Sequence, residues 1–133
     1  MFLGTVLENI SMGDTNINPE KIMYLASQLG MQDLLQDFPQ GFDSIIDPTG
    51  KKLSESTTKK LLILRALSSS KPLIVLSEPW SGLNDMYKQN IIKYILSLTQ
   101  STVVVVTADQ DYLNLCTHAI TLSGGQVSSF KTN

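Results

Sequence analysis

Apolar positions along the chain change their spacing once, near residue 70. Before that point they recur at helical intervals. Ile22, Leu25, Ala26 and Leu29 share one face, and Leu61, Leu62, Ile63, Ala66 and Leu67 predict the buried side of another helix. After it come short unbroken runs, Leu73 to Leu76 and Thr102 to Thr107, of the kind that make buried strands. Punctuation sharpens the boundaries. Asn18 is a capping residue with Pro19 behind it, and Gly30 supplies a stop, so the spacing predicts a helix over 19–29. A short helix over 32–37 is expected to end before Pro39. Gly41 to Lys52 carries turn residues and one extended run, Asp43 to Asp47. Ser54 caps a third helix reaching about Ser69, and Ser68-Ser69-Ser70 is a polar break.

The second half alternates. It predicts a strand over 73–77, a helix over 85–98, a strand over 102–107, a short helix over 109–115, and strands over 118–122 and 126–130. This order implies an α/β fold with a parallel sheet and helices on its faces. Ser123-Gly124-Gly125 is a hairpin-type turn between the last two strands. Glu78 directly follows the first strand, and a carboxylate there stands where open α/β sheets collect ligands.

Composition narrows the class without naming an activity. The 133 residues suffice for a core, and 42% hydrophobic with 17% charged residues suits a soluble globular chain. A net charge of −2 offers no basic field for nucleic acid or an anionic membrane. No apolar run approaches the ~20 residues that cross a bilayer, and Met1-Phe2-Leu3-Gly4 lacks the basic start of a signal peptide. The single cysteine, Cys116, has no internal disulfide partner and fits a reducing cytosol as a small buried hydrophobe. His118, the only histidine, begins a strand without metal-binding neighbours and is expected to pack there. The five methionines are scattered, as gap-fillers are.

With these elements in order, the chain resembles the ATP-binding (nucleotide-binding) domain of an ABC transporter of the exporter type, from after its Q-loop to its end. Leu73 to Glu78 resembles the Walker B strand, Ser81-Gly82-Leu83-Asn84 the D-loop, and Val103 to Ala108 the H-loop strand. Phe2 to Ile10 resembles the segment after the Q-loop. Leu53-Ser54 opens the signature, and Leu64-Arg65-Ala66-Leu67 closes its helix. An unrelated flavodoxin-like domain would leave those last two matches unexplained. Leu122-Ser-Gly-Gly-Gln126 repeats the signature letter for letter, but it follows the second core strand and precedes a strand-like Val127-Ser-Ser-Phe130. A working signature must open a helix toward phosphate, so this copy is read as a turn.

The resemblance implies a partial P-loop NTPase fold, lacking the Walker A strand and loop. It divides into a helical subdomain over 1–70 and the second half of the ATP-binding core over 71–133. No G-x-x-x-x-G-K-[ST] occurs in these residues. The start downstream of that loop favours Met1 as a boundary within a longer module rather than a native start. Of the family's chemistry only the water-polarising glutamate remains, as Glu78, and it is expected to be vestigial. Ser77 stands at the Mg2+-holding aspartate, Ala108 at the γ-phosphate histidine and Asn84 at the D-loop aspartate. Glu55, Ser56 and Thr57 replace the signature's Gly-Gly-Gln after Ser54, and Ser81 begins the D-loop.

Glu55 facing phosphate would cost about 1–4 kcal/mol at ~4 Å, whereas in a first helical turn it simply opposes the dipole. Trp80 is expected either to plug the nucleotide cleft or to be an exposed partner anchor. ATP and Mg2+ are implied by resemblance only, with no tight binding and no metal site expected of this chain. The implied partners are the transmembrane domain of an ABC transporter and a second nucleotide-binding domain, at the cytoplasmic face of a membrane. The alternative is a non-catalytic interaction module on the same scaffold, which apolar outer faces on the helices over 19–29 and 32–37 would support. Without the phosphate-loop strand, Val103 to Val106 should form an apolar edge.

Overall fold

The computed structural model describes residues 1–133. Its first half is a small helical cluster. β1 (Gly4–Thr5) pairs antiparallel with β2 (Ile45–Ile46), and α1 (Val6–Ser11) starts at once from Thr5, whose hydroxyl accepts the Glu8 N–H at 2.9 Å. The sequence reading had no helix here, because six residues are too few to show a period. α2 (Pro19–Gln28) begins as expected, with the Asn18 side chain accepting from the Lys21 N–H, and the chain turns at Gly30 with φ +73°. Ile22, Leu25, Ala26 and Leu29 are all buried.

Two expectations in this half need correction. The helix over 32–37 is a single 3-10 turn, Leu34–Asp37. Asp33 makes no side-chain cap, and Phe38 must be extended before Pro39, so only four residues are left to coil. The extended run over 43–47 reduces to β2, because Gly41–Asp43 forms a second 3-10 turn closed by the Ser44 N–H on the Gly41 carbonyl.

α3 (Glu55–Ser68) runs through the centre and packs on α1, α2 and β3. Its buried line is Thr57, Leu61, Leu64 and Leu67, with Ile63 beside it, while Leu62 is 39% exposed and Ala66 only half-buried. The 3- and 4-residue steps follow one face of the helix, and a neighbour at +1 rotates away from it. These side chains join Val6, Ile10, Ile22, Leu29, Met31 and Ile91 in one continuous core.

The second half follows the expected order. β3 (Leu73–Ser77) and β4 (Thr102–Val106) are parallel, in register from Leu73↔Thr102 to Ser77↔Val106, with α4 (Asp85–Ser97) as the crossover. α5 (Gln110–Leu115) leads into a hairpin of β5 (His118–Ser123) and β6 (Gln126–Thr132). Gly124 and Gly125 both take positive φ in its turn, so the Leu122-Ser-Gly-Gly-Gln126 sequence is a hairpin connection.

The parallel sheet differs from expectation in being covered on one face only. Ile74 and Leu76 enter the core and Val103 and Val105 are half-buried, whereas Leu73 (57%), Val75 (60%), Val104 and Val106 are exposed. β4 bonds to β3 alone, so its other edge is the open apolar edge that was expected. The hairpin is a separate two-stranded sheet rather than an extension of the parallel one.

Candidate functional site

Strand polarity gathers the chemistry at one end. β3 and β4 finish together, and the ladder carries one step beyond them through the Glu78 N–H on the Val106 carbonyl at 2.9 Å. Glu78 then reverses the chain in a left-handed conformation, φ +43°. Its carboxylate oxygen Oε2 accepts from the Thr107 hydroxyl at 3.2 Å, and its carbonyl accepts from Lys59 Nζ at 3.1 Å and from the Ser81 N–H at 3.1 Å. Pro79 and Trp80 turn inward behind it, and Trp80 rests on Tyr112 of α5. Trp80 is 7% exposed, which removes the exposed-anchor alternative.

The helix that carries Lys59 also carries the signature-like residues. Ser54 caps α3, accepting from the Thr57 N–H at 3.1 Å and donating to the Thr57 hydroxyl at 2.9 Å. Thr57, buried, donates onward to Asp37 Oδ2 at 3.0 Å, fastening the start of α3 to the first 3-10 turn. Ser56 is half-buried and Glu55 exposed. Glu55 lies against Gly82 of its own chain: a Cβ on Gly82 would sit 3.0 Å from Oε1 of Glu55, at a residue with φ +80°. Glu55 and Lys59 are one turn apart, so one face of α3 meets the loop 78–84 at two points.

The remaining positions are less concentrated. Ser77 ends β3, exposed opposite Val106. Ser81 is exposed and contributes its backbone to the turn. Asn84 is the cap of α4, accepting from the Tyr87 N–H at 3.2 Å. Ala108 is exposed between Thr107 and Asp109. Of Ser77, Glu78, Ser81, Asn84 and Ala108, Glu78 alone carries a charge, and one acceptor site of its carboxylate is filled by the Thr107 hydroxyl.

Several contributors escaped the sequence reading. Thr107 ends an apolar run with a hydroxyl, and Lys59 stands four residues after Glu55; both signals were present but had no partner to point to. Asp109 caps α5 through the Tyr112 N–H at 3.0 Å and pairs with Lys88 of α4 at 2.6 Å; Lys88 also reaches Asp111 at 3.1 Å. The Lys88 ammonium, and next the Tyr112 N–H, hold the Asp109 carboxyl below the usual carboxylate range; Asp109 and Asp111 raise Lys88 above the usual lysine value. Burial, and next the nearby Cys116 thiol, raise the Tyr112 phenol. Cys116 is buried and free, as expected, with Sγ directed at the His118 carbonyl. His118 is exposed, bonded to the Thr117 hydroxyl with its ring near Phe130. A cavity of about 330 Å³ lies elsewhere, lined by Asp14, Lys21, Ser68 to Ser70 and Lys71 among others. No helix is long and apolar enough to cross a membrane.

Known proteins resemble this chain in sequence and in fold. No family model matches the chain. A Haemophilus influenzae protein described as a probable ABC transporter ATP-binding/permease protein is 27% identical over 129 residues, spanning 96% of this chain and 23% of that protein. A lactococcin-G-processing and transport ATP-binding protein of Lactococcus lactis is 27% identical over 126 residues, covering 93% and 18% respectively. The chain thus spans about a fifth of the length of the curated relatives it matches. In fold it is similar to a bacterial Atm1-family ABC exporter solved with ATP bound, with a TM-score of 0.83 at 20% identity over 99% of this chain and 23% of that one. The likeness to ABC transporter ATP-binding proteins therefore holds along nearly the whole chain, in sequence and in fold.

Proposed function

We propose that this chain, similar in sequence and fold to the ATP-binding part of ABC exporters, works as a portion of such a domain. Residues 1–70 serve as its helical subdomain and 71–133 as the second half of its core, with a degenerate nucleotide site. The activity of the whole is ATP-driven export across a membrane. Its partners are a membrane-spanning domain, on which the helical subdomain docks, and a second nucleotide-binding domain. The chain sits at the cytoplasmic face.

One observation carries the degenerate-site part of this reading. Among the positions that match the family's strand-end motifs the one carboxylate is Glu78, and its Oε2 accepts from Thr107, while Ser77 and Ala108 stand where the resemblance puts the Mg2+ and γ-phosphate residues. A hard divalent ion takes oxygen ligands, usually with carboxylates among them. A neutral hydroxyl and a methyl group are poor substitutes, and the residues present do not fit Mg-ATP. What these residues do is hold the fold. Ser54 and Asn84 cap helices, and Glu55 and Lys59 seat the loop 78–84 on α3. The interaction-module alternative has less support, because Tyr24 is the one large apolar side chain exposed on α2 or the turn over 34–37.

Calorimetric titration of Mg-ATP into the 133-residue chain, with a parallel hydrolysis assay, tests the degenerate site. The expected result is dilution heat only and no phosphate release. Saturable binding that disappears in Ser54→Ala combined with Glu78→Gln would overturn it.

A further inference from the structure

Glu78 and Met12 are the two non-glycine residues with left-handed backbone. Met12 ends a helix, where that conformation is common. Glu78 ends a strand, and crowding of its Cβ against the following carbonyl opposes the conformation. Strain of this kind persists when surrounding bonds over-determine it. Here they come from two segments: the Val106 carbonyl and the Thr107 hydroxyl at the end of β4, and Lys59 Nζ on α3.

Thr107 has a further property. Its Oγ1 accepts the Asp109 N–H at 3.1 Å, which occupies one side of the oxygen. A hydroxyl has a single proton to give. With the amide fixing the oxygen from behind, that proton is directed at Glu78 Oε2. Asp109 is itself held by Lys88 and by its cap on α5, so the amide is anchored.

We propose that Thr107 is a positioning residue for Glu78: its hydroxyl, turned by the Asp109 amide, holds the carboxylate across the carboxyl ends of β3 and β4, with Lys59 fixing the backbone of the same residue from α3. The carboxylate is tied to its own chain and has one acceptor site fewer for water. This deepens the reading of Glu78 as a held remnant, and rests on it for that meaning.

Carboxyl 13C NMR of the chain tests the proposal, with the Glu78 resonance assigned by its loss in Glu78→Gln. Thr107→Val keeps the branched shape and removes the proton; it should shift the Glu78 carboxyl resonance and speed amide exchange at residues 78 and 80–82 several-fold, leaving Ile91 in the core unchanged. Thr107→Ser should restore both. Lys59→Met should speed exchange at the same amides without moving the carboxyl resonance, and Lys59→Arg should reverse it. An unmoved Glu78 resonance in Thr107→Val overturns the proposal, as does a serine variant that behaves like valine, since packing rather than the hydroxyl would then matter. All of these are read without nucleotide. Saturable Mg-ATP binding would therefore overturn the degenerate-site reading separately.

Discussion

The Trp80 indole lies against the Tyr112 ring, with centroids 5.4 Å apart and planes tilted by 55°. The contact ties the loop after β3 to α5, two segments that no strand pairing joins. Tilted pairs of this kind add to the area they bury. Trp80→Ala is expected to destabilise the chain by about 3–5 kcal/mol, with Trp80→Phe losing clearly less. Urea unfolding followed by far-ultraviolet circular dichroism measures both, since the variants lose the only tryptophan signal. A midpoint for Trp80→Ala close to wild type would show that the loop does not need this anchor.

Arg65 bonds the end of α3 to α1 across the helical half. Its Nε donates to the Asn9 carbonyl at 2.7 Å, its guanidinium covers the Phe2 ring, and Asn9 itself is fully buried. Asn9 also accepts from the Phe2 N–H and donates to the Phe2 and Thr5 carbonyls, so the N-terminal segment hangs on this pair. Arg65→Met leaves a carbonyl of that cluster without its donor and should cost about 1–3 kcal/mol. Arg65→Lys should recover only part of the loss, because an ammonium cannot both stack and reach as the planar fork does. Thermal unfolding of the two variants ranks them; equal midpoints would contradict the geometry.

The Lys88–Asp109 pair makes stability depend on pH at both extremes. The Asp109 carboxyl is depressed in the folded chain, so its contribution is present above the ordinary aspartate pKa, about 3.9, and is lost as pH falls through the lower folded value. Lys88 is raised, so its contribution is present below the ordinary lysine pKa, about 10.4, and is lost as pH rises through the higher folded value. Asp109→Asn can keep the helix cap while removing the charge. Its melting temperature should fall less steeply than wild type below pH 4 and show a smaller decline above pH 10. Added salt should narrow the difference between the two proteins at pH 7.

Leu73, Val75, Val104 and Val106 form an exposed apolar face on a sheet whose strands each have an open edge. Such a surface promotes strand-to-strand association. Val104→Lys should reduce concentration-dependent association in sedimentation velocity without changing the unfolding midpoint by more than about 0.5 kcal/mol. Unchanged association would place the contact on another surface, such as Ile120, Leu122, Val127 and Phe130 of the hairpin.

Local rules made much of this chain legible. Asn18 and Ser54 cap the helices that follow them, as their positions predicted, because capping depends on bonds within three residues. The strands over 73–77 and 102–107 were readable as apolar runs, and the turn at Gly124-Gly125 as a pair of residues free to take positive φ. Tertiary structure decided what lies across space. Leu62 turns outward and Leu64 inward because α3 has neighbours on particular sides. Glu55 faces Gly82, Glu78 is bonded by Thr107 and Lys59, and Trp80 rests on Tyr112, through contacts between residues 19 to 32 positions apart. A sequence shows which side chains can bond, and period and capping place them along an element. Which of them meet is set by packing, where burial favours one arrangement of helices and strands over the others that local preference allows.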